Sequence, residues 1–300
     1  MNNASNRDKS ETASTMQSPA VDAPERMQCM EIWGGNLEIT KSFAATGLDV
    51  YVRSRPFLDS QSGGGDIYYL TSCASGRISR ILLADVSGHG KNAADLAISL
   101  RDLMRQNVNK ISQQVFVKQV NQEFGDMAQE QGFATAVIAT FFEPTRSLSI
   151  SIAGHPYPVY YSQKKKSWSL IDSALADGKL ENLPLGIHDE SAYPNFKMPT
   201  EVGDMFLLYT DAFVESIDAQ GKQIGVAGLL NMLNDAPTLD AANVIDYLEN
   251  TISGMSDQNL KDDDATAIVG RFTNSKTSFT SNLVAPFRLF RPVRDRTQIE

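Results

Sequence analysis

Several things are scarce in this 300-residue chain, and each shortage removes a class of protein. Cysteine occurs twice, as Cys29 and Cys73. Two thiols so far apart define neither a disulfide framework nor a zinc knuckle, which fits a reducing compartment. No apolar run reaches the length needed to span a bilayer. The opening MNNASNRDKSETASTMQSPAVDAPE lacks the apolar centre of a signal peptide. Basic residues are in deficit, with 27 Lys and Arg against 36 Asp and Glu, a formal charge of -9. That balance disfavours a nucleic-acid-binding face, so neither nucleic acid nor membrane is an expected partner, and the cytoplasm is the expected compartment. Apolar residues make up 42% and charged residues 21%, the composition of an ordinary globular protein long enough to bury a large core.

The chain divides into three parts. Residues 1–29 are polar, small and proline-containing, and should be disordered. The body runs over residues 30–272. Residues 273–300 form a tail that mixes Arg288, Arg291, Arg294 and Arg296 with Phe287, Leu289 and Phe290, a pattern suited to docking on the body or on a partner. Within the body, GRISRILLADVS, GFATAVIATFFE, RSLSISIAGHPYPVYYS, MFLLYTDAFVE and ATAIVGRF read as strands. Glu143-Pro144-Thr145 reads as a hairpin turn. Residues 92–108 carry Leu96, Leu100, Leu103 and Met104 at helical spacing, and residues 115–127 carry Val117, Val120 and Phe124. Two later helices are expected over 226–234 and 241–250, and residues 174–197 read as an irregular loop. Strands, a helix pair, more strands, then helices and a last strand predict an α+β fold. The architecture is a four-layer α/β/β/α sandwich, two mainly antiparallel β-sheets covered by helices on both outer faces.

Acidic residues stand at the edges of the apolar runs: Asp66 in GGGDIYYL, Asp85 in ILLADVSGHG, Asp211 in MFLLYTDAFVE, and Asp262-Asp263-Asp264 before ATAIVGRF. Singly, such residues are as well explained by turn and helix capping. Together, carboxylates delivered by strands to one end of a sandwich repel one another unless a cation joins them. Hard oxygen ligands of this kind suit Mg²⁺ or Mn²⁺ rather than zinc or copper.

The ordered series Gly64-Gly65-Asp66, Asp85-Val86-Ser87-Gly88-His89-Gly90, Ala153-Gly154-His155-Pro156, Leu183-Pro184-Leu185-Gly186, Tyr209-Thr210-Asp211 with Glu215, and Asp263-Asp264-Ala265-Thr266 resembles the metal-dependent protein serine/threonine phosphatases. It is most similar to their bacterial sporulation and stress-response branch, over residues 62–272. The resemblance implies two Mn²⁺ or Mg²⁺ ions, with Asp85 bridging them, helped by the Val86 carbonyl. Asp66 completes one metal shell and Asp211 and Asp263 hold the other, with Asp264 ranked just below. It implies hydrolysis of phosphoserine or phosphothreonine on a protein by a metal-activated water, with Asp85 and Asp211 acting through that water. His89 is a further candidate on the same turn, and His155 a hydrogen-bonding support. The implied substrate is a serine-phosphorylated protein, an anti-sigma-factor antagonist. With only about 30 polar residues before the body, control is expected from a separate regulatory protein or from a homodimer.

Three positions depart from the family pattern: Tyr69 where a second acid is common, Ala212 in place of glycine, and Ile152 in place of asparagine. Tyr69 and Ala212 motivate one alternative, a pseudophosphatase that serves as a binding module. The other is a carboxylate-metal hydrolase of small phosphoesters.

Overall fold

Alternation of side chains along each strand sends one set toward a second sheet and the other toward helices. The computed structural model describes residues 24–28, 31–57, 63–73, 76–88, 91–108, 110–128, 132–171, 183–188, 191, 193–237, 240–276 and 294–298. One seven-stranded sheet has the order β1 (Glu25–Arg26), β3 (Ile39–Ala45), β4 (Leu48–Arg55), β13 (Ala265–Phe272), β12 (Met205–Tyr209), β9 (Val159–Ser162) and β10 (Ser167–Leu170). The other has the order β11 (Phe196–Pro199), β8 (Ser147–Ala153), β7 (Ala134–Phe142), β6 (Ile78–Val86), β5 (Asp66–Cys73), β2 (Glu31–Gly35) and β14 (Arg294–Gln298). Neighbouring strands are antiparallel except at two edges, where β1 runs parallel to β3 and β14 parallel to β2.

Three apolar clusters hold the layers together. Between the sheets lie Val50 and Val52 of β4, Tyr68 and Leu70 of β5, Ile81 and Leu83 of β6, and Phe206 and Leu208 of β12. Outside the second sheet, Leu96, Leu100, Leu103 and Met104 of α1 (Lys91–Asn107) join Val117, Val120 and Phe124 of α2 (Gln113–Ala128). All seven are buried, as their helical spacing requires. Outside the first sheet, a single turn α3 (Ala212–Glu215) precedes α4 (Gly225–Asp235) and α5 (Ala241–Ser253), which bury Leu229, Leu233, Val244 and Leu248. Asp240 caps α5 by accepting from the Ala242 and Asn243 amides. The expected four-layer sandwich is the one observed. Among the described residues, no helix is long and apolar enough to cross a membrane.

The segments differ from expectation in several places. RSLSISIAGHPYPVYYS is two strands, β8 and β9, in different sheets, because the turn at Gly154 (φ 67°) carries the chain across the sandwich. MFLLYTDAFVE stops being a strand at Tyr209 and turns helical from Ala212. Part of the expected loop at 174–197 is strand, since β11 begins at Phe196 and pairs with β8. The ordered chain begins before residue 30: Glu25–Arg26 pair with β3, and Met27 enters the inter-sheet cluster. At the other end Arg294–Gln298 forms β14 on the body, while Phe287, Leu289 and Phe290 lie outside the described residues, as does most of 1–29. The β7–β8 hairpin closes as expected through one 3₁₀ turn at Glu143–Thr145, with Arg146 left-handed.

Gly270 marks how closely the inter-sheet face is packed. It pairs with Phe206, and a Cβ there would sit 2.1 Å from the Phe206 ring. Phe206 is itself wedged against Phe272, ring centroids 5.7 Å apart. Gly270→Ala should therefore destabilise the fold by about 1–3 kcal/mol through overpacking, read from chemical denaturation.

Candidate metal centre

The acids occupy the last positions of the inter-sheet face. Along β5 the residues facing the other sheet are Leu70, then Tyr68, then Asp66; along β6 they are Ile81, Leu83, then Asp85. Asp66 and Asp85 are direct cross-strand partners, so both carboxylates stand on one side of the sheet. On the facing sheet the same alternation runs from Val50 and Val52 to Ser54, from Phe206 and Leu208 to Thr210, and from Ile268 to Thr266 and Asp264. At this end, apolar side chains give way to oxygen on every central strand.

Hydrogen bonds lock the oxygens in series across the two sheets. The Ser54 and Thr266 hydroxyls lie 2.8 Å apart. The Thr266 amide donates to Thr210 Oγ1 (3.0 Å), and that hydroxyl donates to Asp66 Oδ2 (2.9 Å). Asp264 accepts at both oxygens, from the Phe57 amide (2.7 Å) and the Gly65 amide (2.6 Å). Asp263 accepts from the Asp264 amide (2.8 Å). Asp211 leads into α3 from the end of β12.

Burial and mutual repulsion push these carboxyls upward. Asp66, only 3% exposed, is raised well above the usual range by burial, then by Asp85 and Asp264. Asp85 is pushed up to about 7 by burial and by Asp211, Asp263 and Asp264. Asp211 is raised by burial and by Glu215 and Asp264, and Asp263 by burial and by Asp211 and Asp264. Asp264 thus acts on all four of the others and holds the middle of the cluster. The sequence reading ranked it last, although its place directly before β13 on the inter-sheet alternation was a usable signal.

Gly65 opens the space these groups share. A Cβ on it would lie 3.0 Å from the Val86 carbonyl oxygen and 3.4 Å from both Asp264 Oδ2 and Asp85 Oδ1. A carbonyl and two carboxylates gathered beside one glycine are oxygen donors of the kind a hard divalent cation takes. Among the described residues, no three His, Cys, Asp or Glu are already grouped as metal ligands.

The remaining residues fall away from the cluster or beside it. His89 lies outside the described residues, and so does Cys29. His155 is buried, with Nδ1 2.9 Å from the hydroxyl of Thr135, the cross-strand partner of Asp85. Burial pushes its imidazole down to about 3, against a smaller upward pull from the Tyr209 backbone, so it is neutral near pH 7. Tyr69 points to the opposite face from Asp66, into the cluster with α1 and α2. Ile152 belongs to the inter-sheet cluster. Ala212 is buried without a positive φ, so a glycine is not required there. Thr210, Thr266 and Ser54, which the sequence reading passed over, supply the hydroxyl series behind Asp66.

A two-sheet sandwich with helices on both faces and carboxylates at one end of its core defines a PP2C-type phosphatase domain. The chain belongs to the stage II sporulation protein E (SpoIIE) family, whose profile matches residues 75–273. It is similar to the phosphoserine phosphatase RsbU of Bacillus subtilis (strain 168), 25% identical over 185 residues, which cover 61% of this chain and 52% of RsbU. The chain therefore spans about half the length of that relative. Among solved structures, the PP2C phosphatase domain of SpoIIE from Bacillus subtilis, with a fragment of its regulatory domain, matches with a TM-score of 0.62 at 14% identity, covering 76% of this chain and 63% of that one. RsbX, solved in complex with magnesium, matches with a TM-score of 0.55 at 16% identity, covering 78% of this chain and 100% of that one.

The raised carboxyls give a pH signature in the metal-free protein. Asp85 rises from an ordinary value of 3.8 to about 7 on folding, so the folded state holds its proton more tightly. The resulting stabilisation is complete below about pH 4 and is lost as pH rises through about 7. Asparagine removes that loss. In chelator, Asp85→Asn should melt above the wild type at pH 8, and the gap should close toward pH 4; His155, shared by both proteins, cancels from the comparison.

Proposed function

We propose that this chain hydrolyses phosphoserine or phosphothreonine on a protein substrate. The observation that carries the reading is the meeting of Asp85, Asp264 and the Val86 carbonyl beside Gly65, with Asp66, Asp211 and Asp263 near enough to interact with them electrostatically. Asp66, Asp85 with the Val86 carbonyl, Asp211 and Asp263, with Asp264 ranked just below, are the groups that would hold two Mn²⁺ or Mg²⁺ ions. When bound, such a pair supplies an activated water at neutral pH and screens charge on the phosphoryl oxygens.

The chain's own residues set the stage for that chemistry. Thr210 and Thr266 fix the Asp66 carboxyl by side-chain hydrogen bonds. The Phe57 and Gly65 amides fix Asp264, and Gly65 keeps the approach beside Asp85 open. Thr135 and neutral His155 brace the strand opposite Asp85. A neutral imidazole with a pKa near 3 has no proton to give the departing serine, so His155 has a positioning role rather than that of an acid.

The proposed substrate is a serine-phosphorylated protein of the anti-sigma-factor-antagonist kind, in keeping with the resemblance and with RsbU being a phosphoserine phosphatase. The proposed compartment is the cytoplasm, in keeping with a sequence that carries only two widely separated cysteines. Control by a separate protein or by homodimer formation would act most directly through α1, which starts a few residues beyond Asp85 and packs on α2. Tyr69 and Ala212, the grounds for a pseudophosphatase, neither displace an acid nor strain the backbone, which favours the enzyme.

Replacement of Asp85 or Asp211 by Asn should lower Mn²⁺-dependent release of phosphate from a phosphoserine protein by more than about 100-fold, since a ligand outweighs its supporting partners. Circular dichroism should match the wild type. Near-normal turnover by Asp85→Asn would contradict the assignment.

A further inference from the structure

Asn36 sits between two segments that are far apart in sequence, and both of its neighbours matter for the acids. It follows β2 and is 1% exposed. On one side its amide donates to the carbonyl of Gln298, the last residue of β14 (3.2 Å). On the other, its carbonyl accepts from the Gly64 amide (2.9 Å), and its Nδ2 donates to the Gly64 carbonyl (3.1 Å). Asn36 therefore grips Gly64 at both of its backbone polar groups.

From Gly64 the connection reaches the cluster within one residue. Gly65 donates to Asp264 Oδ2 (2.6 Å) and accepts from the Val86 amide (3.1 Å). Space on this path is tight: a Cβ on Gly63 would lie 2.4 Å from Asn36 Nδ2, and one on Gly64 would lie 2.5 Å from the Asp264 carboxylate. A displacement of Asn36 thus moves the loop that carries Asp66 and pins Asp264.

The far side of Asn36 is held by contacts of its own. Residues 294–298 lie in register with 31–35. Arg296 reaches buried Glu31 (3.4 Å) and lies 4.9 Å over the Trp33 ring. Arg105 of α1 pairs with Asp295 (3.3 Å). Gly35 lets the strand come this close, since a Cβ there would lie 1.9 Å from the Gln298 carbonyl. The Asn36–Gln298 bond is the last rung of that parallel ladder, so the pairing of β14 ends on the residue that grips Gly64.

We propose that Asn36 is a positioning residue for the metal-holding loop, and that residues 294–298 form a strap that seats it. This rests on the proposed metal-dependent reading. Tethering of the groups behind a ligand fixes where the ligand stands, and loss of such a partner typically weakens metal binding by about 10- to 100-fold.

The test is calorimetric titration of the full chain with Mn²⁺, comparing wild type, Asn36→Ala and Gly35→Ala, with melting in chelator measured alongside. Asn36→Ala removes the side-chain grip on Gly64, and Gly35→Ala pushes β14 off its place beside Asn36 while every acid and the Asn36 side chain itself are retained. Both should raise the Mn²⁺ dissociation constant by about 10- to 100-fold. A purely structural role would lower the melting temperature in chelator and leave that constant unchanged. Unchanged affinity in Asn36→Ala overturns the positioning role, and unchanged affinity in Gly35→Ala overturns the strap. A wild-type chain that takes up no Mn²⁺ overturns the underlying metal-dependent reading, and this inference with it.

Discussion

Repulsion among the carboxylates at the end of the inter-sheet core is the constraint on which the rest of this structure depends. Five acids stand close enough for Asp264 to raise four others, and Asp66 is almost wholly buried among them. A protein selected for stability alone would place apolar side chains there, as this one does further along the same face of each central strand. The fold absorbs the cost locally through the hydroxyl series from Ser54 to Asp66 and the two amides on Asp264. Those donors stabilise the acids without neutralising them, which leaves a charge that a divalent cation would balance.

Strand alternation is what brings the acids together from four separate parts of the chain. Asp66 and Asp85 become neighbours through the β5–β6 register, in which each apolar pair upstream, Tyr68 with Leu83 and Leu70 with Ile81, belongs to the same cluster. A slip of one residue would turn Asp66 or Asp85 to the helical face and bury a tyrosine or leucine wrongly. Packing between the sheets therefore fixes the geometry of the site as firmly as any contact within it. The helices contribute from outside, with α1 and α2 holding the sheet that carries Asp66 and Asp85, and α5 clamped to β4 by Arg53 and Arg55 on Glu249.

Much of this was legible in the sequence, and the gaps have physical reasons. The helix pair and the central strands announced themselves through strong periodicity, and the acids through their place at the ends of apolar runs. The early strands β3 and β4 are missed because Lys41, Arg53 and Arg55 interrupt their apolar alternation, which weakens the signal. The continuous apolar run through Gly154 concealed a change of sheet, since local periodicity says nothing about which sheet a strand joins. Asp264 stands among three consecutive acids, and its alternation with Thr266 and Ile268 separates it from its neighbours only once β13 is known to face the other sheet. The pairing of 294–298 with β2 joins opposite ends of the chain, and no local pattern encodes that.

The central claim is that these acids form one metal-holding site rather than a set of unrelated turn residues. Crystals grown with Mn²⁺ and measured at the manganese absorption edge test it most directly. The account predicts two anomalous peaks sharing Asp85, one toward Asp66 and the Val86 carbonyl and the other toward Asp211 and Asp263. A well-diffracting crystal with no manganese at Asp85, or with manganese bound only elsewhere on the acidic surface, would contradict it.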